Sequence, residues 1–445
     1  MPQLIVSISG IRGIIGDGLG PREAVRFGLA FGTHLARGTA VLGRDSRPSG
    51  PMLADAFRSG LAAAGCRVVD AGILSTPGTA VLLRHLGAAG GAVITASHNP
   101  APYNGIKLLS AAGGGLSRSE GLAVADLYHS QAFKRSAGGN VEPLPDGPRI
   151  HADRVLACAN VEAVRATRFR VVVDAVNGAG GAEMRLLLER LGCTMAMIHG
   201  EPTGRFSRPP EPTPENLGDL GRAVAREGAA LGLALDPDAD RLSLVEEAGR
   251  AIGEEYTLAL ACRRRLSQAR GPLAANLSTS RMMDDVAHEA GVPLYRTPVG
   301  EVNVSEAIRE HNCLIGGEGN GGVIDPRIAP VRDSLAGAAL ILEMMAVTGK
   351  PLSELSAALP VYRMVKDKVP LGQAEPDRVL RAVREHFHDA RVDDRDGVYL
   401  AWQEAWLHVR PSNTEPILRI IAEAADERTA RGLVRQVAEL VRGVR

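Results

Sequence analysis

Three aspartates stand at alternate positions in Leu235-Asp236-Pro237-Asp238-Ala239-Asp240-Arg241. On an extended segment alternate side chains fall on one face, so this spacing predicts three adjacent carboxylates. Left alone, such charges repel and raise one another's pKa. A divalent cation resolves the repulsion, and an all-oxygen donor set favours Mg²⁺ over zinc. Asp236, Asp238, Asp240 and Glu247 also match the first, third, fifth and twelfth positions of an EF-hand loop. That reading fails at Arg241, which stands where the loop requires glycine. The apolar flanks Leu231–Leu235 and Leu242–Val245 predict strands, not the helices of an EF-hand.

A hydroxyl suited to phosphoryl chemistry lies in Gly91-Ala92-Val93-Ile94-Thr95-Ala96-Ser97-His98-Asn99-Pro100. The apolar run reads as a buried strand, and Asn99-Pro100 breaks it, because a residue before proline avoids the helical region. Ser97 is thus expected on a turn just past a strand's carboxyl end, where open α/β sheets bind ligands. With His98 beside it, the hydroxyl is a candidate nucleophile or phosphoryl carrier. The bland alternative is a turn built from Ser and Asn.

Three further stretches carry ligand chemistry. In Ser9-Gly10-Ile11-Arg12-Gly13, expected as a glycine-flanked loop, Arg12 could fork onto phosphate oxygens. In Gly316-Gly317-Glu318-Gly319-Asn320-Gly321-Gly322, glycines admit a ligand, while Glu318 accepts and Asn320 both donates and accepts, as sugar hydroxyls require. In His408-Val409-Arg410-Pro411-Ser412-Asn413-Thr414-Glu415-Pro416, Arg410 with Ser412, Asn413 and Thr414 offers donors for a phosphate cradle stiffened by two prolines, the alternative being a capped turn between strands.

The elements that must position these residues repeat. Thr39–Leu42, Arg170–Val173 and Pro272–Asn276 each read as a strand, followed by a polar loop, a helix, a glycine stop and another strand. This is the βαβ crossover at its usual size of roughly 30 residues. The units recur about a hundred residues apart, too far for a solenoid, which predicts three similar α/β domains. After about Pro360 strands outnumber helices, predicting an α+β domain with an antiparallel sheet. The expected domains are 1–149, 150–249, 250–359 and 360–445.

A chain of 445 residues calls for two to four domains. Lys+Arg and Asp+Glu are both 51, which argues against a general nucleic-acid or membrane-surface binder. No apolar run is long enough to span a membrane, and Met1–Val6 lacks the features of a signal peptide. Cys66, Cys158, Cys193, Cys262 and Cys313 form no close pair, which fits reduced thiols in a cytoplasmic protein. Scarce aromatics and abundant Gly and Ala suit closely packed helices on sheets.

Taken together, and in their order along the chain, the stretches resemble the α-D-phosphohexomutases over essentially the whole chain. Thr95–Pro100 resembles the family's phosphoserine loop, Asp236–Arg241 its metal loop, Gly317–Gly321 its sugar loop and Arg410–Pro416 its phosphate loop. Asn104-Gly105-Ile106-Lys107, Ile11-Arg12-Gly13 and Thr297-Pro298-Val299-Gly300-Glu301 also match the family pattern. Many members carry Glu-x-Ser-Gly-His in the sugar loop; here Glu318-Gly319-Asn320-Gly321-Gly322 lacks the Ser and the His. Bacterial phosphoglucosamine mutases often have Ser-Gly-Thr in the phosphate loop, against Ser412-Asn413-Thr414 here. The loops are most similar to the archaeal-type phosphoglucosamine mutase branch.

The resemblance implies three α/β domains and a C-terminal α+β domain around a central active-site cleft. It implies a mutase interconverting hexosamine 6-phosphate and 1-phosphate in amino-sugar biosynthesis, through a phosphoserine and a hexose 1,6-bisphosphate. Ser97 would carry the phosphoryl group and, with Asp236, Asp238 and Asp240, hold one Mg²⁺. Arg12, Lys107 and, more weakly, His98 would stabilise the phosphoryl group or move a proton. Arg241, Glu318, Asn320, Arg410, Ser412, Asn413 and Thr414 would bind substrate. The expected partner is a small sugar phosphate, and the expected assembly a monomer or homodimer. Other readings are a phosphoglucomutase or phosphomannomutase of the same family, a metal-dependent sugar phosphatase and a non-catalytic sugar-phosphate sensor. The Arg410 cradle argues against a phosphatase, which need not hold a product for reversal. A sensor would require neither Ser97 nor the aspartates.

Overall fold

Val-, Ala- and Leu-rich runs bounded by polar turns become the central strands of three successive sheets: Thr39–Arg44, Arg170–Asp174 and Leu273–Asn276. The structure, a computed structural model, describes residues 4–372, 374–412 and 417–443. Each central strand is followed by a helix, Gly50–Ala63, Gly181–Arg190 or Met282–Ala290. Each then pairs in parallel with the next strand, Thr39 opposite Arg67, Arg170 opposite Thr194 and Leu273 opposite Leu294. Parallel neighbours require such a crossover, so the repeated βαβ unit is present as expected.

On its other edge each central strand pairs in parallel with the first arm of an antiparallel hairpin. The hairpins are Gly90–Ile94 with Tyr103–Ser110, Leu231–Leu235 with Leu242–Glu246, and Ile315–Glu318 with Gly322–Ile324. Their tips hold Ser97, the three aspartates and Asn320. Three of the five chemistry-bearing stretches thus occupy the same place in three similar sheets.

The first sheet is larger, with eight strands against four in each of the next two. The fourth is antiparallel, in the order Arg363–Pro370, Ile417–Ala424, Ala405–Pro411, Val398–Ala401, Arg391–Asp393. The helices Pro376–His386 and Glu427–Gly443 cover it. The architecture is therefore multidomain α/β with an α+β C-terminal part.

One apolar core runs through the first three sheets, joining Val41, Leu74, Val171, Leu231, Leu273 and Leu335. Its centre is the helix Ser334–Thr348, apolar on every side and buried through Met345, as a core helix must be. The fourth sheet has a separate core around Val409, Ile420 and Val437. Among the described residues no helix is long and apolar enough to cross a membrane. Cys66, Cys262 and Cys313 are buried, Cys158 and Cys193 half-buried, and all five are free thiols.

Three local expectations are corrected. Ser9–Gly13 is not a loop: Gly10–Ile15 is a strand paired with Tyr103–Ser110, placing Arg12 opposite Gly105. Glycine's permissive backbone allowed either reading, and the partner strand decides it. Gly316–Gly322, which reads in the sequence as a glycine-rich loop, is the turn and flanking strand ends of a tight hairpin. Asp236–Asp240 is a turn rather than an extended segment, with Ala239 at φ +53°. Its carboxylates converge because the chain curls, not because alternate residues share a face.

Candidate active site

Ser97 follows the strand Gly90–Ile94 in a turn where its own φ is +48°, an uncommon conformation for a residue with a side chain. The Thr95 hydroxyl accepts the Ser97 amide at 2.9 Å and donates to Asp45 Oδ2 at 2.7 Å. Arg47, fully buried, supplies the rest of the support. Its guanidinium donates to the carbonyls of Ser97, Asn99, Pro100 and Tyr103 at 2.6–3.0 Å, and to Asp45 at 3.0 Å. Sequence reasoning placed Arg47 in a polar loop and gave it no role. A buried arginine matching backbone carbonyls 50 to 56 positions away leaves no local pattern.

The turn brings Ser97 Oγ to 3.1 Å from Asp236 Oδ2. Asp236, Asp238 and Asp240 are fully buried, and one oxygen from each lies within 4.8 Å of the others. Burial and then the neighbouring carboxylates push Asp236 and Asp238 above the usual carboxylate range. Asp240 goes the other way: Arg332, Lys107 and Arg241 together outweigh its burial and hold it low. Asp238 Oδ1 and Asp240 Oδ1 are buried and, among the described residues, receive no protein hydrogen bond. Three converging carboxylates, two orphaned oxygens and a hydroxyl fit a hard divalent cation.

His98 Nδ1 lies 3.5 Å from Ser97 Oγ. Burial, then Arg241 and Arg12, push its pKa down to about 2, so the ring stays neutral. Arg12 donates to Asn99 Oδ1 at 2.9 Å. Lys107 Nζ pairs with Glu301 at 3.1 Å and Asp240 at 3.7 Å. Burial disfavours the charged amine, yet these carboxylates outweigh it and Lys107 stays above its ordinary range. Arg241 pairs with Glu211 at 3.0 Å and approaches Asp240 at 3.7 Å.

Arg332, a second residue that sequence reasoning missed, joins Asp240, Glu301 and Glu318 through one guanidinium. Glu318 Oε1 also accepts from Asn276 at 2.7 Å and from the Gly300 amide at 3.1 Å. Asn320 Oδ1 is buried with no described protein partner. Glu255 closes the far side of this hairpin: its carboxylate packs on Gly319 and accepts the Ser280 amide at 2.9 Å.

Arg410 stands apart from this cluster. It pairs with Asp396 Oδ1 at 3.1 Å, and Asp396 Oδ2 accepts the Val299 amide of the third sheet's loop at 2.9 Å. His408, buried, spans the same junction between Ser278 Oγ at 2.8 Å and the Asp396 carbonyl at 2.7 Å. Arg410 also lines a cavity of about 520 Å³ with Asp396 and Arg384. Ser412 donates its amide to the Ile417 carbonyl at 2.9 Å. Asn413 and Thr414 lie outside the described residues.

A serine at one hairpin tip facing buried carboxylates at another, in a multidomain α/β chain, is an arrangement suited to phosphoryl transfer. Comparison with known proteins gives the family. Domains I, II and III of "Phosphoglucomutase/phosphomannomutase, alpha/beta/alpha" match residues 4–135, 149–249 and 253–362, and its C-terminal domain matches 364–440. The chain belongs to this family, the phosphohexomutases. A Thermococcus kodakarensis protein named "Phosphoglucomutase/phosphomannomutase" is 40% identical over 435 residues, 95% of each chain. A Methanopyrus kandleri protein named "Probable phosphoglucosamine mutase" is 38% identical, covering 98% of this chain and 97% of that one. The crystal structure of a phosphoglucomutase/phosphomannomutase family protein from Burkholderia thailandensis matches with a TM-score of 0.86 at 26% identity, covering 98% and 97% of the two chains.

Proposed function

We propose that the chain is a phosphoglucosamine mutase in which Ser97 carries the phosphoryl group. The observation that carries this reading is the Ser97 hydroxyl at 3.1 Å from a buried carboxylate cluster with unpartnered oxygens. Asp236, Asp238 and Asp240, with a Ser97-borne oxygen, would hold Mg²⁺, which when bound neutralises the transferring group. In the first transfer the Ser97 O–P bond breaks as a sugar hydroxyl oxygen bonds to phosphorus, and the proton that hydroxyl loses ends on the departing Ser97 oxygen. In the second, the other O–P bond of the resulting hexose 1,6-bisphosphate breaks as the Ser97 oxygen takes that phosphoryl group, and the Ser97 proton ends on the sugar oxygen released. Such chemistry depends on position and fixed charge. Lys107, kept protonated, and Arg12 supply positive charge beside Ser97, while neutral His98 adds none. Arg410 and Ser412, with Asn413 and Thr414, grip the non-reacting phosphate.

The substrate reading rests on Asn320. Both Glu318 oxygens already accept protein hydrogen bonds, from Arg332, Asn276 and the Gly300 amide, so the unpartnered Asn320 oxygen is the acceptor left for an ammonium at sugar carbon two. A hydrogen bond to a charged group contributes about 1.5–3 kcal/mol, or roughly ten- to a hundredfold in kcat/KM. Competition among glucosamine, glucose and mannose 1-phosphates tests this; glucose equal to or better than glucosamine would favour the activity named for the Thermococcus relative. Intact-mass analysis tests the carrier: one phosphate on the wild type, none on Ser97→Ala, and kcat lower by at least about a thousandfold. Near-normal turnover of that variant would sink the phosphoserine.

A further inference from the structure

Behind the aspartate loop sits a buried imidazole that the chemistry above does not use. His151 stands on the helix Gly147–Leu156 and is 0% exposed. Its Nδ1 lies 2.8 Å from Glu183 Oε1 and its Nε2 lies 2.9 Å from Asp333 Oδ2. A neutral ring has one N–H and one bare nitrogen, which would face a carboxylate lone pair to lone pair. The imidazolium donates to both. Burial opposes this charge, but Asp333 and Glu183 outweigh it and push the pKa up to about 10.

Both carboxylates are anchored in turn. Glu183 accepts the Ser75 hydroxyl at 2.7 Å and the Ser75 amide at 3.1 Å. Asp333 caps the helix Ser334–Thr348 through the amides of Leu335 and Ala336. The chain neighbours of these anchors grip the aspartate loop. Thr76, beside Ser75, donates its amide to the Asp238 carbonyl at 2.9 Å and its hydroxyl to Asp238 Oδ2 at 2.5 Å. Arg332, before Asp333, pairs with Asp240. Ser334, after it, donates its amide to the Ala239 carbonyl at 3.3 Å and its hydroxyl to the Arg241 carbonyl at 2.8 Å.

We propose that His151 is a positioning residue for the carboxylate loop, fastening together the two segments that hold Asp238 and Asp240 at ligand spacing. The proposal rests on the reading that these aspartates bind a divalent cation. Without the imidazolium, Ser75-Thr76 and Arg332–Ser334 lose their common anchor and the carboxylates lose their fixed separation.

The test is His151→Gln, whose amide donates on one side only. Mn²⁺ binding is followed by electron paramagnetic resonance, alongside kcat and KM with Mg²⁺. The expected result is about tenfold weaker Mn²⁺ binding, the usual scale for a partner that orients a metal ligand. A lower kcat with little change in KM for the sugar phosphate accompanies it. Glu183→Gln keeps the volume, removes one counter-charge and decides the matter if His151→Gln does not fold; it is expected to act in the same direction. A variant with lowered Tm but wild-type Mn²⁺ affinity and kcat would overturn the proposal and leave His151 a purely structural pin. Wild-type protein that binds no Mn²⁺ would instead remove the metal reading itself.

Discussion

Gly322 and Arg332 share one space: a Cβ on Gly322 would overlap the Arg332 Cδ. The far end of Arg332 has no freedom to yield, because its guanidinium is tied to Asp240, Glu301 and Glu318. The glycine that ends Glu318-Gly319-Asn320-Gly321-Gly322 therefore makes room for the cation that links the sugar hairpin to the aspartate loop.

Gly322→Ala is accordingly expected to overpack the site and cost about 1–3 kcal/mol of stability. It should also lower kcat, because Arg332 cannot move without releasing Asp240. Urea unfolding and steady-state kinetics read the two effects, and an unchanged midpoint with unchanged kcat would show that Arg332 is free to shift.

Arg47 makes a second prediction. Lysine in its place keeps the charge but cannot reach four carbonyls and Asp45 together. Arg47→Lys should leave some of these part-buried carbonyls without a donor, at about 1 kcal/mol for each hydrogen bond lost. Ser97 then loses its fixed turn, so kcat should fall even at temperatures where the variant is folded. Circular dichroism melts paired with kcat at 25 °C check both parts.

Much of this was legible in the sequence where it depends on neighbours in the chain. The Ser97 turn follows from Asn99-Pro100 after an apolar run, and the βαβ units follow from strand, helix and glycine punctuation. Arg12 reads as a loop residue because its strand exists only through pairing with Tyr103–Ser110. The aspartates were grouped correctly through a wrong local geometry. Arg47, Arg332 and His151 escaped notice because their partners lie far along the chain: Arg332 and Asp240 are 92 positions apart, His151 and Asp333 182. No window of sequence displays such a pairing.

Removing charge from the aspartate loop should act oppositely with and without metal. Burial and mutual repulsion make ionised Asp236 costly in the metal-free protein. Asp236→Asn can keep the bonds from the Asp240 and Arg241 amides, at 3.0 and 3.2 Å, through its remaining oxygen. Its Tm in EDTA should equal or exceed that of the wild type. In saturating Mg²⁺ the order should reverse, because only the wild type gains the full stabilisation of a bound ligand, about 2.7 kcal/mol at a hundred times Kd. Melts in both buffers decide it; parallel shifts would exclude a cation at Asp236.

Arg410→Lys replaces a forked donor with a point charge at the proposed phosphate grip. KM for the sugar phosphate should rise by about tenfold, equivalent to about 1.4 kcal/mol of lost binding. Mn²⁺ affinity should stay put, since the described ion pair of Arg410 is with Asp396 and not with the aspartate loop. Weakened metal binding with an unchanged KM would mean that the phosphate is held elsewhere.

Glu255 gives the clearest dependence on pH. Burial, only partly offset by Lys366, pushes its pKa up to about 8 from an ordinary 4.5. The folded protein thus holds this proton more tightly than the unfolded chain does. The stability it contributes is complete below about pH 4.5 and is lost as pH rises toward and through 8, where the carboxylate must ionise against Gly319. Glu255→Gln cannot ionise, and its amide oxygen can still accept the Ser280 amide. The variant should melt with the wild type near pH 5 and a few degrees above it at pH 9. A constant difference in Tm across that range would show that Glu255 does not titrate as a buried acid; a variant less stable at pH 9 than at pH 5, relative to wild type, would show that its ionised form is paired and stabilising.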